Sequence, residues 1–168
     1  MRKQRLFIGT VLLLALFVLS ACGTKDKLEL LDETASTDLS AESVASVHVG
    51  SSESDVLKTL GEPIVMEETK EPKATYLSFG SSKKNIDLEV KIVDGKVVRY
   101  VLPTAKYETE KNVSLENSKE EIIQHYGQNF YSRTDTGTEV IGYFDKEQKI
   151  NLEFSFEDSL KGILVTTY

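Results

Sequence analysis

Val47-His48-Val49-Gly50-Ser51-Ser52-Glu53-Ser54-Asp55-Val56-Leu57-Lys58-Thr59-Leu60-Gly61 lies without a gap on Val113-Ser114-Leu115-Glu116-Asn117-Ser118-Lys119-Glu120-Glu121-Ile122-Ile123-Gln124-His125-Tyr126-Gly127. Few residues are identical, yet their types agree where backbone physics is demanding. Ser52 and Ser118 each stand three residues before an acid, Asp55 and Glu121, the spacing that satisfies orphan amides at a helix start. Val56, Leu57 and Leu60 match Ile122, Ile123 and Tyr126 as one apolar helical stripe. Gly61 and Gly127 then supply the residue type that ends helices. Both helices are too short to stand without packing partners.

Working outward, each helix is followed by a polar link, Glu62 to Ala74 and Gln128 to Thr138, with little to offer a core. The match resumes with Tyr76-Leu77-Ser78-Phe79 over Val140-Ile141-Gly142-Tyr143. Ile86, Leu88, Val90 and Ile92 alternate with polar neighbours, as do Ile150, Leu152, Phe154 and Phe156. A period of two with one apolar face predicts half-buried strands, with Asp87, Glu89, Asn151 and Glu153 on the solvated side. Val93-Asp94-Gly95 leads into a further strand, Lys96 to Leu102. A three-residue turn there pairs Val90 with Val98 and Leu88 with Tyr100, leaving Arg99 in water. The closing strand, Ile163 to Tyr168, has an ambiguous inner face.

The predicted fold class is therefore α+β: two tandem helix-plus-antiparallel-sheet repeats, residues 47–103 and 113–168, packed together across a short linker, 104–112. Each repeat alone would have a very small core, so the two should share an interface and unfold as one. The links after Gly61 and Gly127 are expected near the seam.

At the other end of the chain, Arg2, Lys3 and Arg5 precede an apolar run from Leu6 to Phe17. That is the layout of a secretory signal, and the run is short for a spanning helix, which needs about 20 residues. Leu19-Ser20-Ala21-Cys22, followed by Gly23, resembles a bacterial lipobox. The resemblance implies removal of a signal peptide, 1–21, and diacylglycerol on the Cys22 sulfur, so that membrane lipid is the first partner. Cys22 is the only cysteine, which excludes a disulfide scaffold. Residues 22–46, rich in Thr, Ser, Ala, Asp and Glu, are expected to form a flexible tether reaching roughly 25 Å from the membrane.

The chain carries 20 basic and 27 acidic residues. Without Arg2, Lys3 and Arg5 the balance is 17 against 27, about −10, which argues against nucleic acid and against a polybasic grip on lipid. His48 and His125 stand at unrelated positions, so no metal site is expected and no cofactor is implied. Phosphate-cradling loops and nucleophile elbows are absent from the sequence, and the chain is not expected to be an enzyme. Tyr107, Phe130 and Tyr131 lie in polar segments outside the strand register and are the candidates for partner contact.

Val49-Gly50, Ser52, Asp55-Val56, Leu60-Gly61 and Pro63 resemble the small lipoprotein fold of the BamE (SmpA/OmlA) type and the tandem modules of the beta-lactamase-inhibitor protein. The second copy departs from that pattern, with Glu116 at the Gly50 position and Asn129 at that of Pro63. The resemblance implies a membrane-anchored extracytoplasmic lipoprotein acting as a non-catalytic protein-binding module, in envelope assembly or regulation. A small-ligand receptor or an enzyme inhibitor is the alternative.

Overall fold

In the computed structural model the described residues are 26–168. The leader and the lipobox residues Leu19, Ser20, Ala21 and Cys22 lie outside them. Three short helices and eight strands follow in the order α1 (Lys27–Glu33), α2 (Glu53–Leu60), β1 (Val65–Lys70), β2 (Lys73–Ser82), β3 (Asn85–Val93), β4 (Lys96–Leu102), α3 (Lys119–Tyr126), β5 (Tyr131–Asp135), β6 (Thr138–Asp145), β7 (Ile150–Phe156) and β8 (Leu160–Thr167). All eight strands form one antiparallel sheet in the order β1-β2-β3-β4-β8-β7-β6-β5. The architecture is thus α+β. Among the described residues no helix is long and apolar enough to cross a membrane.

The helix starts are capped as their sequences demand. Ser118 accepts from the Glu121 amide while the Glu121 carboxylate accepts from the Ser118 amide, closing a capping box. At Ser52 the hydroxyl accepts from the Asp55 amide at 3.1 Å and stands 2.6 Å from its carboxylate. Gly61 and Gly127 end their helices at φ +80° and +92°, a region open to glycine at no steric cost. The buried stripes, Val56 on α2 and Ile122 with Tyr126 on α3, lie in one core with the inward strand residues Leu77, Leu88, Val90, Tyr100, Tyr143, Leu152, Phe154, Ile163 and Val165. Parity on β8 is now settled: Ile163 and Val165 point into that core.

The links are more than connections. Each contains an additional strand, β1 and β5, so four strands follow each helix rather than three. Both are outer strands whose residues, Tyr131 excepted, are mostly exposed, and an edge strand that buries so little shows no apolar alternation to betray it. Their position also overturns the expected location of the links. The seam is β4 against β8, while β1 and β5 occupy opposite edges of the sheet, seven strand spacings or roughly 34 Å apart.

The β3–β4 turn has two residues, Asp94 and Gly95, at φ +50° and +73°, the geometry whose twist suits a tight hairpin. Parity is rescued further along, by a bulge that sets Ile92 opposite Val97 and Lys91 opposite Arg99, leaving Val98 as the extra residue. Val90 therefore faces Tyr100, not Val98. Arg99 stays on the outer face beside Glu89, 3.4 Å away.

The flexible tether expected over 22–46 is corrected by its described part. Helix α1 starts one residue after Asp26, whose carboxylate accepts from the Glu29 amide. Beyond it the chain docks along β6: the Thr37 amide donates to the Phe144 carbonyl and the Leu39 amide to the Asp145 carboxylate, at 2.8 and 2.9 Å. Ala45 and Ser46, at φ +46° and +65°, reverse the chain between Val44 and Val47. Leu30, Leu39 and Val44 are all buried. Polar composition concealed these few well-spaced anchors, and Asp145 provides one of them from 106 residues away.

Glu42 is carried into the core by the same segment. It is 4% exposed, with the Tyr126 hydroxyl 2.7 Å from its carboxylate and the Tyr100 hydroxyl at 3.5 Å. Burial raises the Glu42 pKa, opposed by the Tyr126 hydrogen bond and the Lys111 charge. Because the folded value lies above the unfolded one, the contribution of Glu42 to stability is complete at acidic pH and is lost as pH rises through the folded value. Glu42→Gln should therefore lose less stability than the wild-type chain over that rise. Urea titrations of both proteins at a series of pH values check the divergence, and parallel curves would contradict it.

Phe154 is fully buried whereas the Glu89 side chain is 38% exposed. Phe154→Ala should cost about 3 to 5 kcal/mol and Glu89→Ala less than about 0.5 kcal/mol in denaturant unfolding.

A candidate binding site on the outer face of the sheet

One face of the sheet carries α2 and α3. The other is uncovered over most of its area, but at the β5–β6–β7 corner α1 lies across it, burying Leu30 against Tyr131 and Phe144, with Leu31 partly buried. The corner is built around a glycine. Gly142 sits mid-strand opposite Tyr131, and a Cβ added there would come within 2.3 Å of the Tyr131 ring. Without a side chain at 142 the ring can lie flat over β6. It stacks on Phe144 with centroids 4.7 Å apart and planes 23° apart, and its hydroxyl reaches β7.

There it donates to Glu153 at 2.5 Å and accepts from the Asn151 amide nitrogen at 2.9 Å. Asn151 also donates to the Tyr143 carbonyl at 3.1 Å. Arg133 completes the group, its guanidinium 3.2 Å from Glu153 and 3.1 Å from Asp135. Asn151 is fully buried and Glu153 is 8% exposed, so the solvated face expected for these two residues is corrected. Alternation along β7 is real, but α1 and the Tyr131 ring cover its polar side. A buried carboxylate is tolerable because a hydroxyl and a guanidinium satisfy it.

Burial, reinforced by the adjacent Glu153 charge, pushes the Tyr131 pKa well up. Desolvation acts against the Arg133 cation, but the Glu153 carboxylate outweighs it and the net shift is upward. Lys27, on the first turn of α1, is shifted down by partial burial, with Glu153 opposing. Tyr131, Glu153 and Arg133 thus form one hydrogen-bonded network, with Lys27 at its edge. A proton-accepting tyrosinate at neutral pH is not available from it.

Two open depressions flank Leu30. One, of about 400 Å³, runs between the C-terminal half of α1 and residues Gln128 to Ser132. The other, of about 290 Å³, is lined by Lys27, Leu30, Tyr131, Arg133 and Glu153. Leu30 and Tyr131 form the nearly buried floor of both, and polar and charged side chains form the rims.

The three aromatic residues singled out from sequence do not converge. Tyr107 and Phe130 are partly buried against the main core, Phe130 with its ring 6.2 Å from that of Tyr143. Tyr131, next in sequence, is on the opposite face. Leu30, Asn151, Arg133 and Glu153 were missed as participants. The available signal was Gly142 in an otherwise apolar strand, since an isolated glycine there marks a close approach by another group.

Among the described residues no cluster of His, Cys, Asp and Glu is arranged to hold a metal ion. The nearest thing to a nucleophile–base pair is Ser51 with His48, 3.1 Å apart. Ser51 is buried and its hydroxyl accepts from the His48 main-chain amide, so it closes a local turn.

Removing the carboxylate by Glu153→Ala should cost about 1 to 3 kcal/mol, because the Tyr131 hydroxyl keeps only the longer contact to Asn151 Oδ1, 3.3 Å, and Arg133 loses its buried partner. Gly142→Ala, which expels the ring, should cost about as much. Because both act on the same ring, the double variant should lose less than the sum. Denaturant unfolding of the three proteins measures this, with near-ultraviolet circular dichroism reporting the tyrosine.

No protein-family model matches the chain, and no curated protein does. Among solved structures, an extracellular protein containing a SCP domain from Bacillus anthracis str. Ames is similar to it with a TM-score of 0.51 and 11% sequence identity, over 85% of this chain and 49% of that one. A DUF4309 family protein (YjgB) from Bacillus subtilis subsp. subtilis str. 168 aligns with a TM-score of 0.37 and 15% identity, over 70% of this chain and 79% of that one. The chain spans about half the length of the first, 49%, and at such identity the likeness is one of fold alone.

Proposed function

We propose that this chain is an extracytoplasmic lipoprotein anchored through acylated Cys22, whose folded part is a tandem pair of helix-plus-sheet repeats serving as a non-catalytic protein-binding module. The observation that carries the anchor is Leu19-Ser20-Ala21-Cys22-Gly23 behind a basic and apolar leader. Two acyl chains would make the attachment durable, where one alone is marginal.

Duplication is supported by spacing. From Glu53 to Lys119 and from Val65 to Tyr131 is 66 residues in each case. Each helix is eight residues long, starts at a capping serine and ends at a positive-φ glycine. In this reading β4 and β8 are equivalent strands that pair across an approximate two-fold axis.

The binding role rests on the depression between α1 and residues 128–132, whose floor is the nearly buried pair Leu30 and Tyr131 and whose rim carries partly buried Phe130 beside exposed Glu33, Gln128 and Asn129. An apolar centre with a polar rim is the usual anatomy of a protein contact. The protein partner would be another component at the same membrane, engaged by assembly or regulation.

Mass spectrometry of the native protein should find a mature N-terminus at Cys22 carrying diacylglycerol, and Cys22→Ala should abolish the modification. A photo-crosslinking residue at Ser132, in the same cells, should capture a protein that one at exposed Lys84 does not. An unmodified Cys22 would remove the anchor, and equal labelling from both positions would remove the binding site.

A further inference from the structure

Leu28 is the most exposed large apolar side chain among the described residues, at 71%, although its helix buries Leu30 two positions later. Close to that helix lies Tyr168, 38% exposed, with the Lys27 ammonium 6.0 Å from its ring centre. A depression of about 390 Å³ there is lined by Leu31, Asp32, Lys146, Lys149 and Tyr168. The Tyr168 ring is held by an edge-on contact to Phe144, centroids 5.4 Å apart, and its hydroxyl donates to the Asp145 carbonyl at 3.1 Å. Exposed leucine, an amphipathic tyrosine and lysines free to extend outward are the side-chain types that settle at a lipid–water boundary.

Chain length decides the occupant. Only four peptide steps separate Cys22 from Asp26, the first described residue, so even a fully extended chain spans at most about 14 Å. If the Cys22 sulfur carries lipid, the N-terminus of α1 cannot stand farther than that from the membrane surface. The roughly 25 Å reach of a 24-residue random tether does not apply, because residues 27–46 are docked on the domain.

Resting on the anchor proposed above, we infer that the face formed by Leu28, Leu31, Tyr168, Lys146 and Lys149 docks on the membrane, with the apolar groups in the headgroup layer and the lysines against lipid phosphates. Asp32 is the one side-chain carboxylate lining this depression, and the chain without its leader is acidic, 17 basic against 27 acidic residues or about −10. Docking is therefore local and oriented. It holds the β6–β7 turn toward the lipid and the β2–β3 turn, at the other end of the strands, away from it.

Acylation leaves Cys22 unreactive, so one added cysteine can be labelled uniquely. The full acylated chain carrying an environment-sensitive fluorophore at Gln148→Cys or at Lys84→Cys is reconstituted into vesicles of phosphatidylcholine and phosphatidylglycerol containing nitroxide-labelled lipid. Mass spectrometry of the same preparation reports the acyl chain. The expected result is several-fold stronger quenching at position 148 than at 84, reduced toward the level of 84 when Leu28→Asp is added and weakened when phosphatidylglycerol is omitted. An acylated protein quenched equally weakly at both positions overturns the docked face and leaves the anchor standing. A protein without acyl chains overturns the anchor, and docking with it. A Gln148 probe that captures a protein in cells while remaining unquenched on vesicles gives the face to a protein and overturns the lipid assignment.

Discussion

The structure depends on four residue pairs. Arg99, Tyr100, Val101 and Leu102 of β4 face Thr166, Val165, Leu164 and Ile163 of β8, and this short ladder alone makes one sheet of two four-stranded meanders. Every other strand pairing is with a sequence neighbour. Tyr100, Val165, Leu102 and Ile163 are buried at this seam, so parting it would both open two strand edges and uncover the middle of the core. The long closure between β4 and β8 is the most entropically expensive pairing in the sheet. The segments bracketing the seam reinforce it: Glu42 reaches Tyr100 on β4 and Tyr126 on α3, while the Tyr126 hydroxyl also lies 2.8 Å from Thr109 in the connection between the halves.

What could be read from sequence was whatever periodicity expresses. The capped helices, the inward residues Leu88, Val90, Leu152 and Phe154, and the α+β class all follow from spacing. The edge strands were invisible because Glu67, Glu68, Thr69 and Lys70 are exposed and bury no face whose alternation could be seen. The wrong turn at Asp94-Gly95 arose from sound parity reasoning applied one step too early. The chain keeps Arg99 out of the core by a bulge within the ladder instead of a longer loop, and the two solutions have the same inward residues except at 97 and 98.

The candidate site was harder to see because its parts are single residues on distant elements. Residues 27–46 bring it Leu30, β5 brings Tyr131 and Arg133, and β7 brings Asn151 and Glu153. Each has an ordinary surface or strand explanation in isolation. Two of the three sequence candidates serve the main core, and Tyr131 becomes informative only once Gly142 is seen beneath its ring. Glycine's contribution here is room, since Gly142 has no need of a special backbone conformation.

The charged edge β1 has a consequence should the proposed anchor hold copies of this chain together in one plane. Crowding in two dimensions favours any geometry by which a sheet could grow into its neighbour, and an open strand invites that growth. Were two copies to align their β1 strands antiparallel about the Glu67–Glu68 peptide bond, each Glu67 would meet the other copy's Glu68. Two such carboxylate encounters per contact oppose the ladder from both ends. Sliding the register to centre on Glu68 only sets that residue against itself. In those two registers the carboxylates of β1 oppose the growth of one sheet into the next.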